Sequence, residues 1–342
     1  AVNADAKLKN VANLQPTSQL LFKQDSLIST LRKNCVFFVA YNLMKSLLYL
    51  LLVCISTKTV IAQTLKKIAE WDIPYTANSI EVDNSGNIYL CHTRTHQISR
   101  INTEIKPCTT QTIGGRGFNQ DRFQQPKKII AKNRQAILLL DYGNQRIVIL
   151  NERLRYLEEI NFNKAKYPIQ NPLDLAQNIS GDMYLLDENV PGVSKLSAKG
   201  EFIAYFGGYD WGAGSLVEPS QITVSNANFV YVWDKAKKCI QKYDMFGVYL
   251  HTIYVESISL TKYAVSEPYI FCLSADNKLF YYDQIEKKQM QEISGIEHKI
   301  IDFAITEPLD ISERLKSRNY NQVSRKIYLL TDKKVVVFEI VL

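Results

Sequence analysis

Carboxylates at the ends of apolar runs are the first residues in this chain that could do chemistry. Asp141 follows Ile137-Leu138-Leu139-Leu140, Asp187 follows Met183-Tyr184-Leu185-Leu186, and Asp234 follows Val230-Tyr231-Val232-Trp233. Such groups can ligate calcium, act as a general acid or base, or accept hydrogen bonds from the backbone of a turn. Repetition in three successive units favours the last role, because a catalytic group is needed only once. In Asp141-Tyr142-Gly143-Asn144-Gln145-Arg146-Ile147 a tight turn is expected. Asp141 would accept from turn amides, Gly143 or Asn144 would take positive φ, and Arg146 would pair with a nearby carboxylate. Asp187 and Asp234 are expected to play the same structural part. The four histidines, His92, His96, His251 and His298, are scattered. His92 and His96 are close in sequence but have no third ligand nearby. No H-E-x-x-H, G-x-S-x-G, phosphate loop or paired-cysteine motif occurs, so no catalytic residue, metal ligand or cofactor is expected.

The elements that would position these turns recur along the chain. Six apolar segments end at residues 92, 141, 187, 234, 274 and 331, in steps of 49, 46, 47, 40 and 57. Steps in the forties are the length of one four-stranded propeller blade. A shorter run precedes each segment, from Ser79-Ile80-Glu81-Val82-Asp83 in the first unit to Ile301-Asp302-Phe303-Ala304-Ile305 in the sixth. In the fifth unit it is a weaker Ile258-Ser259-Leu260. A third run follows each segment, as in Arg146-Ile147-Val148-Ile149-Leu150, and five units add a fourth, such as Phe202-Ile203-Ala204-Tyr205-Phe206. The sixth unit lacks a fourth run, whereas a spare one, Leu65-Lys66-Lys67-Ile68-Ala69-Glu70-Trp71, stands ahead of the first. An open ring would expose an unpaired edge, which invites aggregation. The expected fold class is therefore all-β: a six-bladed β-propeller over residues 63–342, with four-stranded blades. The N-terminal strand at about 65–71 completes the last blade.

Composition agrees with a sheet protein. The 342 residues are 46% hydrophobic and 22% charged, with 20 Tyr and 14 Phe, a globular balance that leans toward strands. The net charge of +7 is uneven, since residues 1–62 hold seven of the 41 Lys/Arg and two of the 34 Asp/Glu. Residues 63–342 are left at +2, which gives no electrostatic case for nucleic acid or an anionic membrane surface. The local basic run Arg314, Lys316, Arg318, Arg325 and Lys326 is interleaved with Glu313 and Tyr320 and reads as a solvated loop. Cys91, Cys108, Cys239 and Cys272 show no C-x-x-C spacing and read as buried thiols within strands. Export would leave a disulfide open to them.

Met44-Lys45 opens a leader. Ser46 to Ser56 is mostly apolar, and Val60-Ile61-Ala62 brings β-branched and small residues to −3 and −1 before Gln63. These are the three parts of a secretory signal peptide, and the apolar stretch is shorter than the roughly 20 residues of a spanning helix. An uncleaved anchor is the competing reading. Residues 1–43 read as upstream read-through and residues 44–62 as the signal peptide.

The Asp141–Ile147 turn resembles that of the NHL-repeat β-propeller family. So do two Gly-rich runs that lead to a proline: Gly114-Gly115-Arg116-Gly117-Phe118 to Pro126, and Gly207-Gly208-Tyr209-Asp210-Trp211-Gly212 to Pro219. The likeness is to an exported bacterial member, and it is degenerate where His92, Ser274 and Thr331 stand in place of the aspartate. It implies that Arg116, Phe118, Tyr209 and Trp211 share one face with Asp141 and Asp187. Aromatics and Arg are what binding hot spots use, and packing between blades is the alternative for the aromatic rings. The expected function is an exported, non-catalytic binding or scaffold propeller, a monomer in the periplasm, at the outer membrane or secreted. Its partner is a protein or glycan of the cell envelope, with no nucleic acid and no membrane span after leader cleavage. The resemblance also implies an alternative, a metal-dependent propeller enzyme of lactonase, esterase or lyase type. N-terminal sequencing of the exported protein should begin at Gln63; membrane-embedded protein that keeps residues 44–62 would establish the anchor instead.

Overall fold

Each of the six apolar runs forms the second strand of a four-stranded antiparallel blade, and the blades form a ring, a β-propeller. The computed structural model describes Lys45 and residues 64–103, 108–133, 136–162, 169–208, 212–287, 289–306 and 324–342. The leader (apart from Lys45), Tyr209, Trp211 and the basic residues at 314–318 lie outside the described residues. All of Ile88–His92, Met183–Asp187 and Val230–Asp234 is buried, which is why second strands read as unbroken apolar runs. Outer strands such as Thr109–Gly114 and Phe202–Phe206 are largely exposed. The inner strands, Ser79–Val82, Pro126–Asn133, Pro172–Gln177, Pro219–Val224, Leu260–Ser266 and Asp302–Thr306, surround a central channel. The fifth of these begins where the sequence suggested that it ends, because Thr261 and Lys262 line the channel and dilute its apolar pattern.

Alternate residues of a second strand serve two different cores. Ile137 and Leu139 pack with Tyr89, Cys91 and Ile98 of the first blade, whereas Leu138 and Leu140 pack with Leu175, Met183 and Leu185 of the third. Six apolar clusters arise in this way among the described residues. Each is shared by two neighbouring blades, and together they run round the ring. Polar locks reinforce them. The buried phenol of Tyr184 crosses from the third blade to donate to the Met245 carbonyl of the fourth at 2.8 Å, and Lys195 donates to the same oxygen at 3.1 Å. Tyr231 reaches from the fourth blade to Glu267 and Gln284 of the fifth. A buried phenol needs such a partner. Arg325, expected in a solvated loop, instead opens the strand Arg325–Leu330, buried with its guanidinium 4.7 Å from the centre of the Tyr269 ring. The aromatic face, the Ser266 hydroxyl 3.0 Å from Nε and the Glu267 carbonyl 3.1 Å from Nη2 offset the cost of burying its charge.

Thr64–Asp72 closes the ring. It pairs antiparallel with Lys334–Val341, from Thr64 opposite Val341 to Asp72 opposite Lys334, with a bulge between Lys67 and Ala69. Ala69 and Trp71 pack on the cluster that joins Val335 and Val337 to Ile80, Ile88 and Leu90 of the first blade. The spare strand therefore both covers an edge and seals the joint between first and last blades. Exposed pairs such as Lys334–Glu70, at 3.1 Å, add little to this. Cys91, Cys108, Cys239 and Cys272 are free. Cys108 differs from expectation: it is half-buried, lies just ahead of its strand and accepts from Trp71 Nε1 at 3.2 Å. Burial pushes the Cys239 thiol up to about 11 and raises Cys91 and Cys272 further, so these three are poor nucleophiles. Among the described residues, no helix is long and apolar enough to cross a membrane.

Deleting residues 64–72 should therefore destabilise the whole propeller and not merely shorten it. The loss of several kcal/mol, at roughly 2–4 °C per kcal/mol for a domain of about this size, should lower the melting temperature by about 10 °C or more. Near-UV circular dichroism should follow the same transition. A truncated protein melting within a few degrees of the intact one would show that the ring does not depend on this strand.

Candidate functional site

Asp141, Asp187 and Asp234 each stand opposite a proline that opens the inner strand of the same blade: Pro126, Pro172 and Pro219 respectively. Proline has no amide to give the ladder, and the carboxylate collects the amides just ahead of it. Asp141 accepts from Gln124 N at 2.6 Å. Asp187 accepts from Gln170 N and Asn171 N at 2.7 and 2.8 Å, and Asp234 from Val217 N and Glu218 N at 2.7 and 3.2 Å. Asp187 and Asp234 also accept from their own turns, through Asn189 N and Lys237 N at 2.8 and 3.1 Å. The aspartates thus fasten the loop arriving from the previous blade as well as the turn behind them.

The residue with positive φ in the Asp141 turn is Gln145, at 50°, and not Gly143 or Asn144. Gly143 answers to space instead of torsion: a Cβ there would lie 2.6 Å from Gln124 Cγ and 2.7 Å from its carbonyl oxygen. Where the inner strand has no leading proline, the aspartate is replaced. In the first blade the buried His92 ring stands within 2.8 Å of Ser99 Oγ and 3.3 Å of the Thr76 carbonyl, and burial lowers its pKa. His96 Nδ1 accepts from Gln125 N at 2.9 Å. Both rings are held by structural contacts.

Arg146 organises the loop between the first and second blades. Only 4% exposed, it donates to Asp141 at 2.8 Å and to Glu159 at 2.6 Å. It also donates to the carbonyls of Phe118, Asn119 and Arg122 at 3.0, 3.1 and 2.7 Å. Asn144 adds bonds to Asp141 and the Gly117 carbonyl at 2.7 and 2.8 Å. The loop so held presents Arg116 exposed and Phe118 with 73% of its surface free. Phe118 does not pack between blades; Phe123, fully buried, fills that place. An open cleft lined by Phe118, Asp121, Tyr156 and Glu159 lies beside it.

The channel itself holds charges that reading the sequence did not single out. A cavity of about 260 Å³ is lined by residues from all six inner strands, including Glu81, Lys128, Lys132, Asp174, Lys262 and Asp302. Asp174 pairs with Lys128 at 3.0 Å and accepts from Ile222 N and Leu175 N, both at 2.9 Å. Asp302 accepts from Phe303 N at 2.9 Å and Ile80 N at 3.3 Å. Burial pushes Glu81 up to about 7, although Lys132 and Lys128 pull the other way. Lys127 and Lys235 also line the channel, and their sequence signal was available: each directly follows the paired proline or aspartate, Pro126 or Asp234. Lys262 was hidden in the weak fifth inner strand. Among the described residues, no three His, Cys, Asp or Glu side chains stand together so as to hold a metal ion.

Several solved structures share this fold. Virginiamycin B lyase from Staphylococcus aureus, a catalytically inactive variant with quinupristin, is 12% identical with a TM-score of 0.50, over 82% of this chain and 99% of that one. A streptogramin B lyase is 12% identical with a TM-score of 0.51, over 81% of this chain and 98% of that one. Selenomethionine-substituted virginiamycin B lyase from Staphylococcus aureus is 14% identical with a TM-score of 0.50, over 82% and 99%. At such identities the likeness is one of fold. No protein-family model matches the chain, and no curated protein matches it in sequence.

Removing Arg146 would strand a buried carboxylate. Arg146→Met should cost about 3–5 kcal/mol, the usual penalty for breaking a buried ion pair from one side. Adding Asp141→Asn to that variant should recover part of the loss, as read from urea midpoints at unchanged m-value.

Proposed function

We propose that this chain is an exported, non-catalytic binding propeller that recognises a protein or glycan partner of the cell envelope through its loop face. The observation that carries this reading is the state of Phe118. Its ring is 73% exposed, yet its own carbonyl is fixed by the buried Arg146 guanidinium. An exposed aromatic on a rigid loop, beside Arg116, loses little freedom on binding and is of the type that dominates interfaces. Tyr209 and Trp211 belong to the corresponding loop between the third and fourth blades and would extend the surface. Export rests on the leader at residues 44–62, and the propeller acts as a monomer.

A second reading is a lyase-like enzyme, and its support is that solved structures sharing the fold are lyases. The two readings separate in one set of measurements on residues 63–342. Phe118→Ala and Arg116→Ala should weaken binding to an identified envelope protein or arrayed glycan by about tenfold or more, the loss of one hot-spot side chain, with unchanged melting temperature. Conversion of quinupristin or of a lactone or ester substrate, abolished by a channel-lining substitution, would establish the enzyme instead.

A further inference from the structure

The lysines at the loop-face end of the channel are held differently from the carboxylates beside them. Lys127 follows Pro126, Lys235 follows Asp234, and Lys262 stands opposite Leu273, next to the end of its second strand. They come from the second, fourth and fifth blades, so they face the channel axis from different sides. All three line the same cavity. Lys127 and Lys262 keep 40% of their side-chain surface exposed, and Lys235 is exposed.

Two of the three described carboxylates that line the cavity are already satisfied, and the third, Glu81, is pushed up to about 7 by burial. Asp174 has Lys128 and two backbone amides, and Asp302 has two backbone amides. The three lysines, by contrast, have only loose partners. Lys127 lies 3.8 Å from Glu188 and 4.5 Å from the centre of the Tyr142 ring, while Glu188 itself accepts from the Tyr142 phenol at 2.9 Å. Lys262 is 4.0 Å from Asp302, at the limit of an ion pair, and that carboxylate raises its pKa. Lys235 makes no ion pair among the described residues. Burial lowers the Lys127 pKa, Glu188 and Asp174 raise it, and Lys262 and Lys235 lower it again, so Lys127 is repelled by the other two ammoniums across the opening. An anion placed among them would relieve that repulsion and collect donors whose present contacts are weak.

We infer that the loop-face mouth of the channel is a binding site for a small ligand carrying a multiply charged oxyanion, of the phosphomonoester class, held by Lys127, Lys235 and Lys262. Three converging ammoniums match a dianion with several equivalent oxygens better than a single carboxylate. The cavity, about 260 Å³, is just below the roughly 300 Å³ at which pockets for drug-sized ligands begin, so the ligand is no larger than a sugar phosphate. This site is separate from the Phe118 surface, and either could exist without the other.

Titration calorimetry of residues 63–342 at low ionic strength tests it, with inorganic phosphate, glucose 6-phosphate and glucose as probes. Both phosphates should bind saturably and glucose should not. The Lys127→Gln/Lys235→Gln/Lys262→Gln variant should lose binding, and Lys235→Gln alone should weaken it by about tenfold, the loss of one charge-assisted contact. Lys199→Gln, in an exposed turn on the opposite face, should change nothing. Should the triple variant fail to fold, Lys235→Gln decides the matter, since that ammonium supports no described contact. Absence of saturable phosphate binding, binding retained by a folded triple variant, or equal weakening by Lys199→Gln would overturn the assignment.

Discussion

Each blade of this molecule has half of its core in the next one, and that shared burial is the constraint on which everything else depends. A four-stranded sheet with two apolar faces has nowhere to hide both unless neighbours cover them. Every second strand therefore sends alternate residues to different blades, as Leu138 and Leu139 do. The arrangement is satisfied only when the last blade meets the first. Thr64–Asp72 provides that meeting, since Ala69 and Trp71 pack on a cluster drawn from both blades. Closure is thus a property of the ring as a whole, and it leaves the channel as the one place where six inner strands converge.

The loop face is built on a second constraint, a missing amide. Proline at the start of an inner strand ends the ladder, and the aspartate opposite takes up the amides that precede it. The carboxylate gives up solvent, which raises the pKa of Asp141, and hydrogen bonds and Arg146 offset that cost. The outcome is a set of inter-blade loops anchored at their inner ends and open at their tips. Phe118 is exposed for this reason: the loop's polar backbone turns inward to Arg146, so its side chain is directed outward.

The channel follows opposite logic from the blades. Its walls belong to strands whose other neighbours are apolar, yet it carries lysines and carboxylates that neutralise one another unevenly. Asp174 and Asp302 sit against backbone amides, while Lys127 and Lys262 reach their partners only at 3.8 and 4.0 Å.

Much of the architecture was legible in the sequence because burial on both faces leaves a strong local mark. Second strands appear as five-residue apolar runs, the count of six follows from their spacing, and the spare strand at 65–71 announces the closure. The pairing of proline with aspartate emerged only from the strand register, although Asp141, Asp187 and Asp234 follow Pro126, Pro172 and Pro219 by 15 residues each. What the residues alone could not decide was anything that depends on distance across the ring. Gly143 and Asn144 look like the flexible members of their turn, but a close carbonyl and a left-handed Gln145 show otherwise. Phe118 and Phe123 are equally apolar in sequence, and only the path of the loop assigns one to solvent and the other to the core. Lys127, Lys235 and Lys262 are separated by more than a hundred positions at their extremes and carry no motif. They line one channel because blades wound round one axis bring distant segments to its wall, and electrostatic interaction depends on that separation in space, not on separation along the chain.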